Sequence, residues 1–214
     1  LQDIPTPIAA TFLKQQPILR TMHPAIEDFK QGKLIIVTDH EDRENEGDLV
    51  GAAELITEQQ INFMLKEGRG ILCIPLTETR LNQLNIPLMV QENTDTHQTQ
   101  FTVSVDAKST TTGVSTKDRL ATIKALINPE TKPEDLKRPG HVFPLKAATN
   151  LLQERKGHTE ASLELCKQAN LQQAAVFIEI MNEDGTMARD QDLKLFAQKH
   201  DLKIISIGEL ITIK

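Results

Sequence analysis

The sequence predicts an α/β (α+β) fold in a single compact domain, with a mixed β-sheet surrounded by helices. Two observations carry this. Short apolar runs of strand length alternate along the chain with amphipathic stretches of helical period. The connections between them are short, and no Gly/Ser linker, low-complexity segment or repeat divides the chain. A chain of 214 residues is long enough to bury a proper core. Residues 1–20 read as an N-terminal lead-in and 21–214 as the domain.

Taken in order, Ile26 to Lys30 reads as the end of a helix stopped by Gly32, and Leu34-Ile35-Ile36-Val37 as a buried strand. Thr57 and Gln60 form a capping-box pattern ahead of Ile61, Met64 and Leu65, and that helix should end near Gly68. Ile71-Leu72-Cys73-Ile74 is a second strand. Phe101-Thr102-Val103-Ser104-Val105 alternates with period two, as a strand with one polar face does. Ser115 starts a helix carrying Leu120, Ile123 and Leu126 on one side. Val142-Phe143, Val176-Phe177-Ile178 and Ile204-Ile205-Ser206-Ile207 are further strands, separated by helices over 159–169 and 192–200. The longest polar stretches, 91–100, 108–112 and 128–138, read as surface or active-site loops.

Composition narrows the function classes. With no Trp or Tyr and seven Phe, the core must be aliphatic. The same scarcity of aromatics, with a net charge of −6, argues against nucleic-acid binding. No run approaches the roughly 18 apolar residues of a membrane span. The start lacks a basic region followed by an apolar run, so no signal peptide is expected; Leu1 in place of an initiator Met is consistent with trimming or renumbering. Cys73 and Cys166 lie in apolar contexts, which favours buried free thiols of a cytoplasmic protein over a disulfide or a catalytic thiol.

The run from Thr38 to Asp48 crowds carboxylates around a single arginine, Arg43, directly after the first strand. It lacks the spaced lysines of a solvated helix and closes on Gly47, where the backbone can turn sharply. In an extended loop Glu44, Glu46 and Asp48 would project to one side and repel unless a hard cation such as Mg2+ or Mn2+ neutralised them. An acidic turn with Arg43 as internal counter-ion is the alternative. Gly157-His158-Thr159-Glu160 opens an amphipathic helix. Capped by Thr159, its N-terminal N–H groups and positive dipole end suit a phosphate, with Arg155 and Lys156 adding charge and His158 available as a metal ligand. An ordinary cap with an exposed histidine has the same pattern.

In Arg138-Pro139-Gly140-His141-Val142-Phe143-Pro144, two prolines restrict the backbone around His141, as an imidazole held for proton transfer would need; a turn with an incidental histidine would look alike. Glu179 is a lone acid in an apolar strand, either functional or at a strand end facing solvent. The turns at Thr110 to Ser115 and Asp184 to Met187 could bind a sugar or phosphate or simply turn the chain. His23, His97 and His200 read as surface or structural.

Together these segments resemble the 3,4-dihydroxy-2-butanone 4-phosphate synthase family of riboflavin biosynthesis. The resemblance rests on Asp42-Arg43-Glu44-Asn45-Glu46-Gly47-Asp48, Phe101 to Asp106, Thr111 to Ser115, Asp118-Arg119, Arg138 to Leu145, Gly157-His158-Thr159-Glu160-Ala161 and Asn182 to Arg189, in family order from about residue 20 onward. It implies a Mg2+-dependent lyase, with Mn2+ as a substitute, converting D-ribulose 5-phosphate to L-3,4-dihydroxy-2-butanone 4-phosphate and formate. Glu44 and His158 match its metal ligands, and Arg43, Glu44, Asp48, Arg155, Thr159 and Glu179 its substrate-binding positions. His141 and Glu179 match its essential proton-transfer residues, with Asp39 and Glu46 as further acidic catalytic positions. The resemblance also implies a compact homodimer with active sites near the interface.

Two departures stand out. His40 replaces a common Asp, and Asn150-Leu151 replace a usual Gly-Gly ahead of the phosphate-binding segment. The GTP cyclohydrolase II domain fused to some relatives has no counterpart here, so a single activity is expected. A metal-dependent isomerase or aldolase of another sugar phosphate, and a non-catalytic module binding a phosphorylated ligand, are the competing readings.

Overall fold

The structure, a computed structural model, describes residues 22–213; the 1–20 lead-in lies outside the described residues. Helix α1 (Pro24–Lys30) opens with Pro24 at its first position and His23 at its cap, where the ring accepts from the Ala25 N–H. Strands β1 (Ile35–Thr38) and β2 (Gly47–Ala52) flank the acidic loop. Helix α2 (Glu58–Phe63) has the expected capping box between Thr57 and Gln60 and runs through a wider π-turn over Met64–Gly68. Next come β3 (Cys73–Leu76), α3 (Glu78–Gln83), β4 (Val105–Ala107) and α4 (Thr116–Ile127), the last capped by Ser115. The chain continues with β5 (Leu136–Lys146), α5 (His158–Ala169), β6 (Ala175–Glu179), α6 (Asp190–His200), β7 (Ile204–Ser206) and α7 (Ile207–Thr212).

The seven strands form one mixed sheet in the order β4-β5-β3-β6-β2-β1-β7. Pairs β1/β7 and β3/β5 are parallel, and β1/β2, β2/β6, β3/β6 and β4/β5 antiparallel. Successive strand residues point to opposite faces, so each central strand feeds two cores. Ile36, Leu49, Ile74 and Ile178 pack with Ile61, Ile123, Leu126 and Leu193 from α2, α4 and α6. Ile35, Val37, Val50 and Phe177 pack on the other face with Phe29, Leu165 and Leu210 from α1, α5 and α7. The architecture is a sheet between two helical layers.

Several elements differ from the sequence expectation. Strand β2 was not expected, because glycines and an aspartate replace a β-branched run. Those glycines are required by crowding: a Cβ on Gly51 would lie 2.8 Å from both Ile56 and Leu34 methyls, and one on Gly47 would lie 2.6 Å from a Leu193 methyl. Gly47 therefore does not turn the loop; it opens β2 opposite Thr38, and Asn45, at φ 55°, takes the left-handed conformation instead. The expected strand at 101–105 is a pair of isolated bridges at Phe101 and Thr102 followed by β4. The segment 138–144 is not a turn into a strand but the middle of the eleven-residue β5. Helices α3 and α7 were not anticipated, being six residues each and too short to show a period.

At the Asn150-Leu151 departure the chain makes a short 3-10 turn over Leu151–Gln153. Leu151 sits at φ 46°, in the left-handed region that a glycine would occupy without strain. Among the described residues no helix is long and apolar enough to cross a membrane.

Candidate active site

The ends of β1 and β6, the start of β2 and the start of α5 converge on a cavity of about 220 Å3. Its lining contains Arg43, Glu44, Glu46, Asp48, Arg155, His158, Thr159 and Glu179, so eight of the ten residues singled out from the sequence meet there. A larger cleft of about 840 Å3 between α5 and α7 contains none of them.

The acidic loop is folded rather than extended. Asp39, whose side chain is 1% exposed, is its organiser. One carboxylate oxygen accepts from the Glu46 N–H at 2.8 Å; the other accepts from the Glu44 N–H at 3.1 Å and from Arg43 Nη1 at 2.8 Å. Arg43 donates also to Glu44. From outside, Arg189 at the cap of α6 donates to the carbonyls of Glu44 (2.6 Å) and Asn45 (3.0 Å) and lies 3.8 Å from the Glu46 carboxylate. The loop is therefore clamped on two sides, and Glu44 is turned inward.

Inside, His158 Nδ1 lies 3.6 Å from both Glu44 Oε2 and Asp48 Oδ2, a charge contact beyond hydrogen-bond range. Atoms of Asp39, Glu44 and His158 come within 4.8 Å of one another, a spacing that one cation can bridge. His158 Nε2 and Asp48 Oδ1 are buried with no hydrogen-bond partner. Unpaired buried polar atoms are expensive; Gln168 Oε1 and His200 Nε2 are unpaired as well, but only His158 and Asp48 line the cavity, where a ligand can reach them. Burial works against the Glu44 charge, but the His158 and Arg43 cations beside it hold its carboxyl down at about 2. Burial raises Asp48 well above the usual carboxylate range, opposed by His158. Burial also opposes the charge on His158, yet Asp48, Glu44 and Asp39 outweigh it and lift the imidazole upward. Glu46 is raised by burial and by the Glu44 charge.

The cap of α5 is Gly157, not Thr159, which lies buried in the first turn. No side chain caps this helix, so its first N–H groups face the cavity end without a side-chain acceptor. A Cβ on Gly157 would collide with Arg155 Nη1, which explains the glycine. Arg155 is already engaged: it donates to Glu160 at 2.7 Å, to the His97 carbonyl at 3.1 and 3.2 Å and to the Thr99 hydroxyl at 2.8 Å. It thereby ties the 91–100 loop over the site, and Asp95, His97 and Thr99 join the lining. Glu179 stands at the end of β6, cross-strand from Asp48, and accepts from the Ile71 N–H at 2.7 Å.

His141 is not among the lining residues. Its ring pairs instead with Asp106 at 2.8 Å. Of the histidines read as structural, His200 packs between Phe63 and Phe196 as expected, whereas His97 lines the cavity through its loop. Sequence reasoning gave no site role to Arg189, quoted only as the end of the 182–189 motif, nor to the Cys73 wall position. Only the contact partners distinguish Arg189 from any other arginine at a helix start.

A sequence profile of the 3,4-dihydroxy-2-butanone 4-phosphate synthase family matches residues 23–213. The chain belongs to that family. It is 54% identical over 199 residues to the riboflavin biosynthesis protein RibBA of Cytophaga hutchinsonii, covering 92% of this chain and 49% of that protein. The RibBA of Aquifex aeolicus is 56% identical over 194 residues, covering 89% of this chain and 48% of that protein. A crystal structure described as 3,4-dihydroxy-2-butanone 4-phosphate synthase in complex with two magnesium ions superposes with a TM-score of 0.83 at 40% identity, covering 88% of this chain and 93% of that one. The synthase fold is thus shared essentially throughout. The chain spans about half the length of the RibBA relatives, so they give no support to a monofunctional protein.

Proposed function

We propose that residues 21–214 form the catalytic domain, with 1–20 as a lead-in, and that the chain converts D-ribulose 5-phosphate to L-3,4-dihydroxy-2-butanone 4-phosphate and formate as a Mg2+-dependent lyase of riboflavin biosynthesis. The observation that carries this reading is the meeting of Glu44 and Asp48 at His158, with Asp39 and Glu44 within one cation's reach of the same imidazole, in a chain of the synthase family. Oxygen and imidazole donors at this spacing fit Mg2+ or Mn2+, and Mg2+ typically takes few protein ligands and leaves room for substrate oxygens. Glu44 and His158 would hold the cation. Asp39, spent on three loop contacts, is better placed to position Glu44 than to react. When bound, the cation polarises the substrate carbonyl and acidifies the neighbouring C–H.

Arg43 and Asp48 face the cavity, where they can hold the sugar hydroxyls and carbonyl, with Glu46 beside them as a further acid. The uncapped start of α5 at His158 and Thr159 suits the phosphate, with Arg155 at its edge. Glu179 reaches the same space from β6 and can accept or return a proton at its carboxylate. The 91–100 loop, held by Arg155, borders the cavity, where it can shield the reacting carbons from water. The test is incubation of the metal-loaded chain with ribulose 5-phosphate. Formate release that a chelator abolishes supports the lyase, whereas a five-carbon product without formate supports an isomerase.

His141 lies off this cavity, which favours a homodimer in which one protomer's His141 serves its partner's site. Mixing inactive His141→Ala and Glu179→Gln chains should then restore activity through mixed dimers; no recovery would remove the shared-site arrangement. The two free, buried thiols support the reducing cytoplasm as the compartment.

A further inference from the structure

The Asp106–His141 pair lies outside the cavity and its surroundings are built with unusual economy of space. Strand β4 pairs with β5 through a register shift: Val105 opposes Val142, but Asp106 opposes Lys137, so residues 138–141 form an excursion of β5. His141 sits at the end of this excursion with its backbone nitrogen and its ring Nδ1 facing one carboxylate. Its backbone N–H donates to Asp106 Oδ1 at 2.9 Å, and its ring Nδ1 lies 2.8 Å from Asp106 Oδ2. Asp106 is only 4% exposed, whereas the His141 side chain is 45% exposed.

Several neighbours of the pair maintain this clasp. Gly140 donates to the Ser104 hydroxyl, and a Cβ there would run into the Val105–Asp106 backbone. Arg119 Nη1 donates to the His141 carbonyl at 2.9 Å. Gly113, at φ +86°, lies against the Asp106 carboxylate, where any side chain would overlap it. The turn carrying Gly113 is itself fixed by Asp118, which accepts from the Thr111 hydroxyl at 2.7 Å and the Gly113 N–H at 3.1 Å. The Thr110 to Ser115 turn therefore walls in a carboxylate; it does not line the cavity.

We infer that Asp106 is a positioning residue for His141, locking the neutral imidazole as the Nδ1–H tautomer and presenting Nε2 outward as the proton-accepting atom. An ionised carboxylate only accepts, so the ring nitrogen it faces must carry the proton. Both carboxylate oxygens hold the same residue, one by its backbone and one by its ring, so the orientation of the ring follows from the position of the chain. The role in turnover rests on the lyase reading; the tautomer does not.

Asp106→Asn tests it at constant shape. The amide has one acceptor oxygen where two N–H donors converge, so keeping the backbone bond turns an amide N–H toward Nδ1 and drives the ring proton to Nε2. Two-bond 1H–15N correlation spectra of the full chain, recorded where the ring is neutral and assigned with His141→Ala, should show Nδ1–H in the wild type and Nε2–H in Asp106→Asn. Formate release should fall about 100-fold or more in kcat, with KM and Mg2+ affinity within about threefold, as for loss of a general acid–base. A wild-type His141 found as Nε2–H overturns the inference whether or not the variant folds. An unchanged tautomer and turnover in Asp106→Asn overturns it as well. A wild type that releases no formate but shows the expected tautomer pair supports the clasp and sinks the lyase reading instead.

Discussion

Gly113→Ala is the substitution whose cost the structure sets most tightly. At φ +86° an alanine pays the left-handed penalty of about 1–2 kcal/mol. Its Cβ would also overlap Asp106 Oδ2, so the carboxylate must retreat. The 2.8 Å contact to His141 cannot absorb that shift, since such bonds weaken beyond about 3.2 Å. Losing a charge-assisted bond costs about 1.5–3 kcal/mol more. The sum is about 2.5–5 kcal/mol, or roughly 5–20 °C in melting temperature for a chain of this size. The assay is a double-mutant cycle by chemical unfolding. In an Asp106→Ala background the overlap is gone, and Gly113→Ala should cost only the backbone share, about 1–2 kcal/mol. Equal costs in the two backgrounds would refute the reasoning, because they would mean that Gly113 and Asp106 do not compete for the same space.

Three further outcomes are expected. Arg189→Ala frees the carbonyls of Glu44 and Asn45 and should weaken Mg2+ binding about tenfold, by the roughly 1.4 kcal/mol of one such contact, with little change in melting; an unchanged Mg2+ titration would show that the outer clamp is idle. Leu151→Gly removes a left-handed leucine, and the strain relieved offsets glycine's entropy, so melting should hold or rise; a fall beyond about 3 °C, well over half a kcal/mol, would show that Leu151 is not strained. Burial pushes the Cys166 thiol up to about 12 and Cys73 upward too, so neither should react with thiol reagents at pH 8 until the chain is unfolded. The folded state then binds the Cys166 proton more tightly than the unfolded state, and stability should fall as pH rises above about 9, by at most about 1.4 kcal/mol per unit. Cys166→Ala should flatten that decline, and an identical alkaline slope in the two proteins would contradict it.

The legible parts of the fold were those with a local signal. Thr57 with Gln60 and Ser115 announce helix starts through their own hydrogen bonds, and Ile35 to Val37 or Val176 to Ile178 announce strands by composition. Strand β2 was hidden because Gly47 and Gly51 answer to Leu193, Ile56 and Leu34, residues outside the strand itself. The site residues were legible as types in familiar motifs, but their division of labour was not. Asp39 looks like any acid of the loop until its three acceptor contacts are seen, and Arg155 reads as a free cation until Glu160, His97 and Thr99 claim it. That His141 pairs with Asp106 and lies off the cavity goes with the β4–β5 register shift, which no periodicity encodes.

The central claim is that this cluster of Glu44, Asp48 and His158 serves a carbon-excising reaction. The most direct measurement is 13C NMR of ribulose 5-phosphate labelled at C4, incubated with the Mg2+-loaded chain and, in parallel, with Glu44→Gln. The account predicts that the label leaves as formate, that a four-carbon phosphate remains, and that Glu44→Gln slows this by on the order of a thousandfold while folding normally. Label retained in a five-carbon product, or wild-type turnover by Glu44→Gln, would contradict it.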